Sequence, residues 1–361
     1  MNESTIPVVD HRDYYREGTK EAFIQEVRDA LHSVGFFGVK HTGVDQKIIN
    51  DLYTSLVTFF AFGQETKMEV SAALTLGQRG YVGFGGESAK GNGLGDVKEY
   101  YMIGRDLSDE LLKEHQLFKN QWPQFMAFEA PATAFYKHLE GYSSLLQEIF
   151  SLALYQERDF LSNIWENGDT SCRMIHYPNR DSEEGAVWAG AHTDINLCTI
   201  LPRPTKEGLE VKDSDGNWIP VFVKEDAFII NAGDFLEIFS NGYFRSSVHR
   251  VRKPKTMDSD RYSCVYFVHP RSKAHLYPLQ EFVEMTGGEE KYIKATRWEM
   301  LMERLADNNQ ASDEMLKELS ESKLLERLMK VGRASKEAMQ AVSDAGYAST
   351  EIEKELEKSK T

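Results

Sequence analysis

The stretch GAHTDINLCTIL, residues 190–201, sets His192 and Asp194 two positions apart at the head of an apolar, β-branched run. The run reads as a β-strand, and the pair reads as chemistry or as coincidence. With 57 Asp and Glu among 361 residues, ten histidines give about one or two H-x-D/E pairs by composition alone. The chain holds three, His11-x-Asp13, His138-x-Glu140 and His192-x-Asp194. The pair therefore gains meaning only from its surroundings.

Those surroundings are β-structure. From Cys172 to Pro270 short apolar runs follow one another between turn residues: CRMIHYP, NLCTIL, LEVKDSDGNWIPV, AFIINAGD, SSVHRV and RYSCVYFVHP. Asp215-Gly216 is a hairpin turn signal. Strands at this spacing with no helix between them predict an antiparallel sandwich or barrel. Further out the period changes. Residues 19–62 read as helix, strand (FFGVK), helix, with Phe23, Val27, Ala30, Leu31 and Val34 on one stripe, and PATAFYKHLEGYSSLLQEIFSLAL is helical again. After about residue 290 the chain is helical and charged. EMLKELSESKLLERLMKV puts Leu316, Leu319, Leu325, Leu328 and Met329 on one side, and Thr350-x-x-Glu353 resembles a capping box. The expected organisation is a mostly helical region 1–165, a β core 166–275 and a helical C-terminal region 276–361. The C-terminal helices are expected to pack back on the core, with self-association as their second role.

Composition narrows the partners. The formal charge is 42 − 57 = −15, which repels polyphosphate and anionic membrane surfaces, so neither nucleic acid nor membrane is an expected partner. A small anionic substrate stays compatible, since one buried arginine overrides the net field locally. MNESTIPVVDH lacks the basic flank and apolar stretch of a secretion signal, and no run approaches the ~18 apolar residues that span a bilayer. Cys172, Cys198 and Cys264 are too few and too scattered for a disulfide framework. A cytoplasmic protein with buried free thiols is expected.

In a strand, side chains at i and i+2 share a face, so His192 and Asp194 are expected to project together. A further histidine, His249, stands 55 residues after Asp194 on another strand-like run. Two imidazoles and a carboxylate make a facial set with open positions, suited to Fe(II) oxygen chemistry or to zinc with a bound water. Twelve residues after His249, Arg261 and Ser263 share a face with Phe267; a guanidinium fork beside a hydroxyl fits a carboxylate. His176 and His269 read as structural. The glycine-rich GYVGFGGESAKGNGLGD, residues 80–96, lacks G-K-[S/T] and reads as a loop rather than a phosphate cradle.

The order H-x-D, H, R-x-S resembles the iron(II)/2-oxoglutarate-dependent dioxygenases of the isopenicillin N synthase-like family. IPVVD and ALHSVGFFGVKHTGV resemble its N-terminal region, and CRMIHYP, DAFIINAGDFLEIFSNGYFRSSVHRV and RYSCVYFVHP its core, so that the likeness runs from residue 6 to about 305. The resemblance implies a mainly β fold, a distorted double-stranded β-helix (jelly roll) packed by N-terminal and C-terminal helices. It implies Fe(II) on His192, Asp194 and His249, and 2-oxoglutarate on Arg261, Ser263 and Tyr177. Arg173, Phe267, Tyr81 and Phe84 are the candidate walls of the substrate pocket. O2 is the oxidant, and ascorbate is a candidate reductant. The implied reaction couples decarboxylation of 2-oxoglutarate, giving succinate and CO2, to hydroxylation, desaturation or cyclisation of a small organic metabolite. Three alternatives stay open on the residues: an Fe(II) oxidase independent of 2-oxoglutarate, as isopenicillin N synthase is, a zinc hydrolase on a similar barrel, and an interaction protein acting through its helical tail.

Overall fold

Alternation across the strands of one large sheet builds the core. The computed structural model describes residues 4–75, 77–85, 96–115, 117–179, 187–223, 227–254, 259–307 and 310–358. The chain divides into two compact units, Met1–Leu236 with Phe244–Pro270, and Glu237–Tyr243 with Arg271–Thr361.

In the first unit the strands are β1 (Val8–Asp10), β2 (Phe36–Lys40), β3 (Gly80–Val82), β4 (Glu99–Gly104), β5 (Ser171–Tyr177), β6 (Ala189–His192), β7 (Cys198–Leu201), β8 (Leu209–Lys212), β9 (Trp218–Pro220), β10 (Phe228–Ala232), β11 (His249–Val251) and β12 (Arg261–Val268). Eight form one sheet in the order β1-β2-β10-β7-β12-β5-β4-β3, and four form a second, β6-β11-β8-β9. Every pairing is antiparallel except β1 with β2. This is the expected jelly roll with flanking helices. Tyr100, Met102, Ile175, Tyr177, Leu201, Leu209, Val211, Ile229 and Val251 join in one buried cluster drawn from both sheets. The other face of the large sheet is covered by helices Gln46–Ala61 and Glu129–Ala153, whose Phe59 meets Tyr101 at 5.1 Å and whose Tyr136 meets Tyr266 at 5.2 Å. Both faces of β5 and β12 are thus lined with side chains, so neither strand shows the strict apolar–polar alternation of a half-exposed one.

Helix Lys20–Ser33 buries Phe23, Ile24, Val27, Ala30 and Leu31, the expected stripe with Ile24 in place of Val34. It closes on Gly35, which adopts φ +74° and donates its N–H to Ala30 O. An added Cβ there would stand 2.1 Å from the Arg245 carbonyl oxygen. Gly35→Ala therefore combines a left-handed backbone with a clash against main chain, and is expected to cost about 2–4 kcal/mol, read as a fall in the thermal unfolding midpoint.

The region before residue 165 carries short strands among its helices. It supplies β1 to β4, half the strands of the large sheet. Three-residue strands such as GYV and VVD leave no periodicity to read, and EYYMIG is buried at all six positions.

The second unit has its own core, which includes Met302, Leu319, Leu325, Leu328, Val342, Ile352 and Leu356. The run 314–331 is not continuous helix: Asp313–Glu321 and Leu324–Lys330 are separated at Lys323, whose φ is +57°. Ser349, rather than Thr350, accepts from the Ile352 N–H at the start of the last helix. No described helix is long and apolar enough to cross a membrane, and all three cysteines are buried free thiols.

Candidate metal centre

β6 ends at His192 and β11 opens at His249, and the register sets these two residues directly opposite each other. Their imidazole centroids lie 4.5 Å apart. Asp194 is not in the strand with His192, as i, i+2 parity led one to expect. It sits beyond the end of β6, in the turn towards β7, where its carbonyl accepts the Asp234 N–H. From there its carboxylate reaches both rings, Oδ1 at 3.7 Å from His192 Nε2 and Oδ2 at 3.8 Å from His249 Nε2. These separations are too long for hydrogen bonds. Among the described residues this is the one group of three potential ligand side chains whose donor atoms lie within 4.8 Å of one another.

The surroundings prepare the three groups as ligands. His192 Nδ1 is 2.8 Å from Gly190 O, and His249 Nδ1 is 3.1 Å from Ser247 O. A carbonyl only accepts, so each Nδ1 carries the proton and each Nε2 offers its lone pair to the space beside Asp194. Burial opposes ionisation of Asp194, yet the two imidazoles and hydrogen bonds from Thr199 Oγ1 (2.6 Å) and Asn231 Nδ2 (2.9 Å) hold its carboxyl at about 2. Burial, with the His249 ring beside it, pushes His192 down to about 4, a depression moderated by solvent because 42 % of its side chain is exposed. At neutral pH His192 is thus a neutral imidazole and Asp194 a carboxylate.

Behind Asp194 the packing is tight. Asn196 Nδ2 donates to Thr199 Oγ1, and a Cβ on Gly233 would fall 2.1 Å from Asn196 Oδ1. Thr199, Asn231 and Asn196 were not singled out from the sequence. The signal was there: a polar residue inside the buried runs CTIL and FIINA must satisfy itself against something equally buried.

Arg261 and Ser263 do share a face of β12, with Tyr177 of β5 directly opposite Arg261. The guanidinium is 1 % exposed, donates through Nε to Lys206 O and through Nη1 to Ser263 Oγ, and lies 4.7 Å over the Tyr177 ring. Among the described residues no carboxylate pairs with it. Burial drives its pKa downward, as expected of a cation without a counterion. Arg173 and Phe267 lie on the same side of the sheet, the Arg173 guanidinium 4.3 Å over Tyr100 and 5.5 Å over Phe267.

Tyr81 and Phe84 do not join them. Tyr81 pairs with Tyr101, hence on the opposite face, where its hydroxyl donates to Glu99 and its ring meets Phe59 of helix Gln46–Ala61. Phe84 is 39 % exposed and approaches His176 on that same side. Most of the glycine-rich stretch, residues 86–95, lies outside the described residues.

Residues 6–125 match the domain family described as non-haem dioxygenase in morphine synthesis N-terminal, and residues 168–270 match the 2OG-Fe(II) oxygenase superfamily. The 2-oxoglutarate-dependent dioxygenase caaD of Aspergillus niger is 31 % identical over 255 residues, 68 % of this chain and 79 % of that protein. The chain belongs to the 2OG-Fe(II) oxygenase superfamily. A 2OG-Fe(II) oxygenase family protein from Caulobacter crescentus has a similar structure, with a TM-score of 0.75 and 34 % identity over 84 % of this chain and 98 % of its own. A full-length Neurospora crassa protein in complex with alpha-KG and thymine gives 0.73 at 25 % identity, over 83 % and 96 %. This oxygenase is a 2-oxoglutarate-dependent dioxygenase that uses Fe(II) and 2-oxoglutarate. The zinc hydrolase, the 2-oxoglutarate-independent oxidase and the interaction protein give way to it.

The oxygenase's residues fit both groups. Two Nε2 lone pairs and a carboxylate held ionised suit a divalent iron, and a buried guanidinium with no carboxylate partner among the described residues suits a dicarboxylic cosubstrate. The partners behind the carboxylate matter as well. Asn231→Leu removes one of the two hydrogen bonds to Asp194 Oδ2 and is expected to weaken Fe(II) binding about 10–100-fold, measured by titration of the apoprotein under anaerobic conditions.

Proposed function

We propose that this dioxygenase hydroxylates, desaturates or cyclises a small organic metabolite. Its Fe(II) sits on His192, Asp194 and His249, and the distal carboxylate of 2-oxoglutarate on Arg261, Ser263 and Tyr177, all within the catalytic core 166–275. The observation that carries the reading is the buried Arg261 guanidinium, unpaired with any described carboxylate and on the cluster-lined side of the large sheet. Bound there, Fe(II) with 2-oxoglutarate and O2 supplies the oxidising power, with succinate and CO2 as the products of the cosubstrate.

The chain's own residues do the rest. Arg261 and Ser263 fix one end of the cosubstrate, and the Tyr177 ring under the guanidinium sets its plane. The apolar cluster of Ile175, Leu201, Leu209 and Val251 excludes water, which strengthens each polar contact inside. Arg173, Tyr100, Met102 and Phe267 form a wall in which a cation lies against aromatic faces, a setting for a small planar molecule with an acidic or carbonyl group. The thymine held by the Neurospora relative is a molecule of that kind. Anaerobic addition of Fe(II) and then 2-oxoglutarate to the apoprotein is expected to give the weak visible band of the chelated iron. A screen of planar heterocycles and aromatic acids for substrate-dependent succinate then reads the reaction. No band, and no succinate with any of them, would sink the proposal.

A further inference from the structure

The ladder between β5 and β12 ends at the pair Arg261 with Tyr177. Terminal pairs are where ladders open, yet these are the two side chains assigned above to the cosubstrate. Immediately behind them, on the other face of the sheet, lies a buried polar cluster that the reaction does not use. His176 Nδ1 is 2.7 Å from Glu99 Oε1, and its Nε2 is 2.9 Å from Asp260 Oδ2. Glu99 Oε2 also accepts from Lys67 Nζ at 2.7 Å and from the Tyr81 hydroxyl. Asp260 Oδ1 accepts the Asn179 N–H at 2.7 Å. The His176 ring is stacked on Tyr262 at 4.9 Å and 12°.

Each link joins segments at the end of that ladder. His176 adjoins Tyr177, Asp260 adjoins Arg261, and Asn179 follows the last residue of β5 by two positions. Through its two ring nitrogens His176 ties β4, at Glu99, to the start of β12, at Asp260. Glu99 and His176 are 1 % and 7 % exposed, so water competes poorly for them.

We infer that Glu99, His176 and Asp260 are positioning residues for the cosubstrate clamp: they pin the open end of the β5–β12 ladder and so hold Arg261 and Tyr177 in register for the 2-oxoglutarate carboxylate. The inference rests on the assignment of Arg261 to that carboxylate. Asp260 is the residue to vary, because its side chain is 42 % exposed and its replacement leaves the core intact.

In the Fe(II)-loaded, full-length protein, Asp260→Ala is expected to raise the Kd for 2-oxoglutarate about tenfold, since a small displacement of a bidentate clamp is costly. It is also expected to speed hydrogen exchange in peptides covering residues 171–179 and 259–268, with Fe(II) affinity and thermal midpoint unchanged. Asp260→Asn, which keeps an acceptor for the Asn179 N–H, is expected to recover most of the affinity. In an Arg261→Ala background, Asp260→Ala is expected to cost nothing further. A tenfold loss that persists in that background, or a parallel loss of Fe(II), overturns the positioning role. If Arg261→Ala alone leaves the 2-oxoglutarate Kd unchanged, the carboxylate assignment falls first and takes the positioning role with it.

Discussion

His249→Ala is expected to lose Fe(II) and all substrate-dependent succinate formation. The ring supplies one of only three potential ligand side chains at the centre, and no other described histidine, cysteine or carboxylate joins the group to replace it. It is also held for the task. Its position opposite His192 is set by the β6–β11 register, its Nδ1–H is engaged by Ser247 O, and Phe36 packs edge-on against it at 5.5 Å. Outer partners of metal ligands cost about 10–100-fold in affinity when removed, so loss of a ligand itself is expected to exceed a hundredfold. The variant should pass through gel filtration without iron, while its far-ultraviolet circular dichroism matches that of the parent. A variant that kept stoichiometric iron and full turnover would dismiss the ligand assignment. His176→Phe is the informative control, because His176 faces the helices rather than the triad and its loss should spare the metal.

How much of this was legible in the chain depends on the length of the signal. Strands β7 to β12 fall within the apolar runs marked by turn residues, β5 starts one residue before CRMIHYP, and β2 coincides with FFGVK. Their antiparallel pairing, and hence the meeting of His192 with His249, is not written in any one run; it follows from long-range register. The pairing of His192 with Asp194 was anticipated for the wrong reason. Two residues in one strand share a face, but here the strand stops at His192 and a turn anchored on Asp234 swings the carboxylate round. Tyr81 shows the opposite failure. In a three-residue strand, one position decides the face, and Tyr81 stands between Gly80 and Val82, the two residues whose direction leads inward. Thr199 and Asn231 were overlooked because a polar residue in an apolar run looks like noise until the buried carboxylate it serves is in view.

Arg261→Ala is expected to raise the 2-oxoglutarate requirement over a hundredfold with iron content unchanged. The sign follows from burial. Among the described residues the guanidinium meets two hydrogen-bond acceptors, Lys206 O and Ser263 Oγ, and an aromatic face beneath it, all neutral. A dicarboxylate entering the site supplies the missing charge. Removing the arginine would leave that carboxylate buried and unpaired, at a cost of about 3–5 kcal/mol, which corresponds to more than a hundredfold in affinity. Arg261→Lys keeps the charge but loses the fork and the stacking on Tyr177, and should fall between the two. The metal should be indifferent, since none of the three ligand side chains touches Arg261 in the hydrogen bonds that orient them. The measurement is a pair of anaerobic titrations, Fe(II) first and 2-oxoglutarate second, on each variant. Equal weakening of both would mean that Arg261 supports the barrel as a whole. Weakening of the second alone would place the cosubstrate carboxylate at Arg261, because a ligand that brings its own negative charge gains most from a buried cation with no described carboxylate beside it.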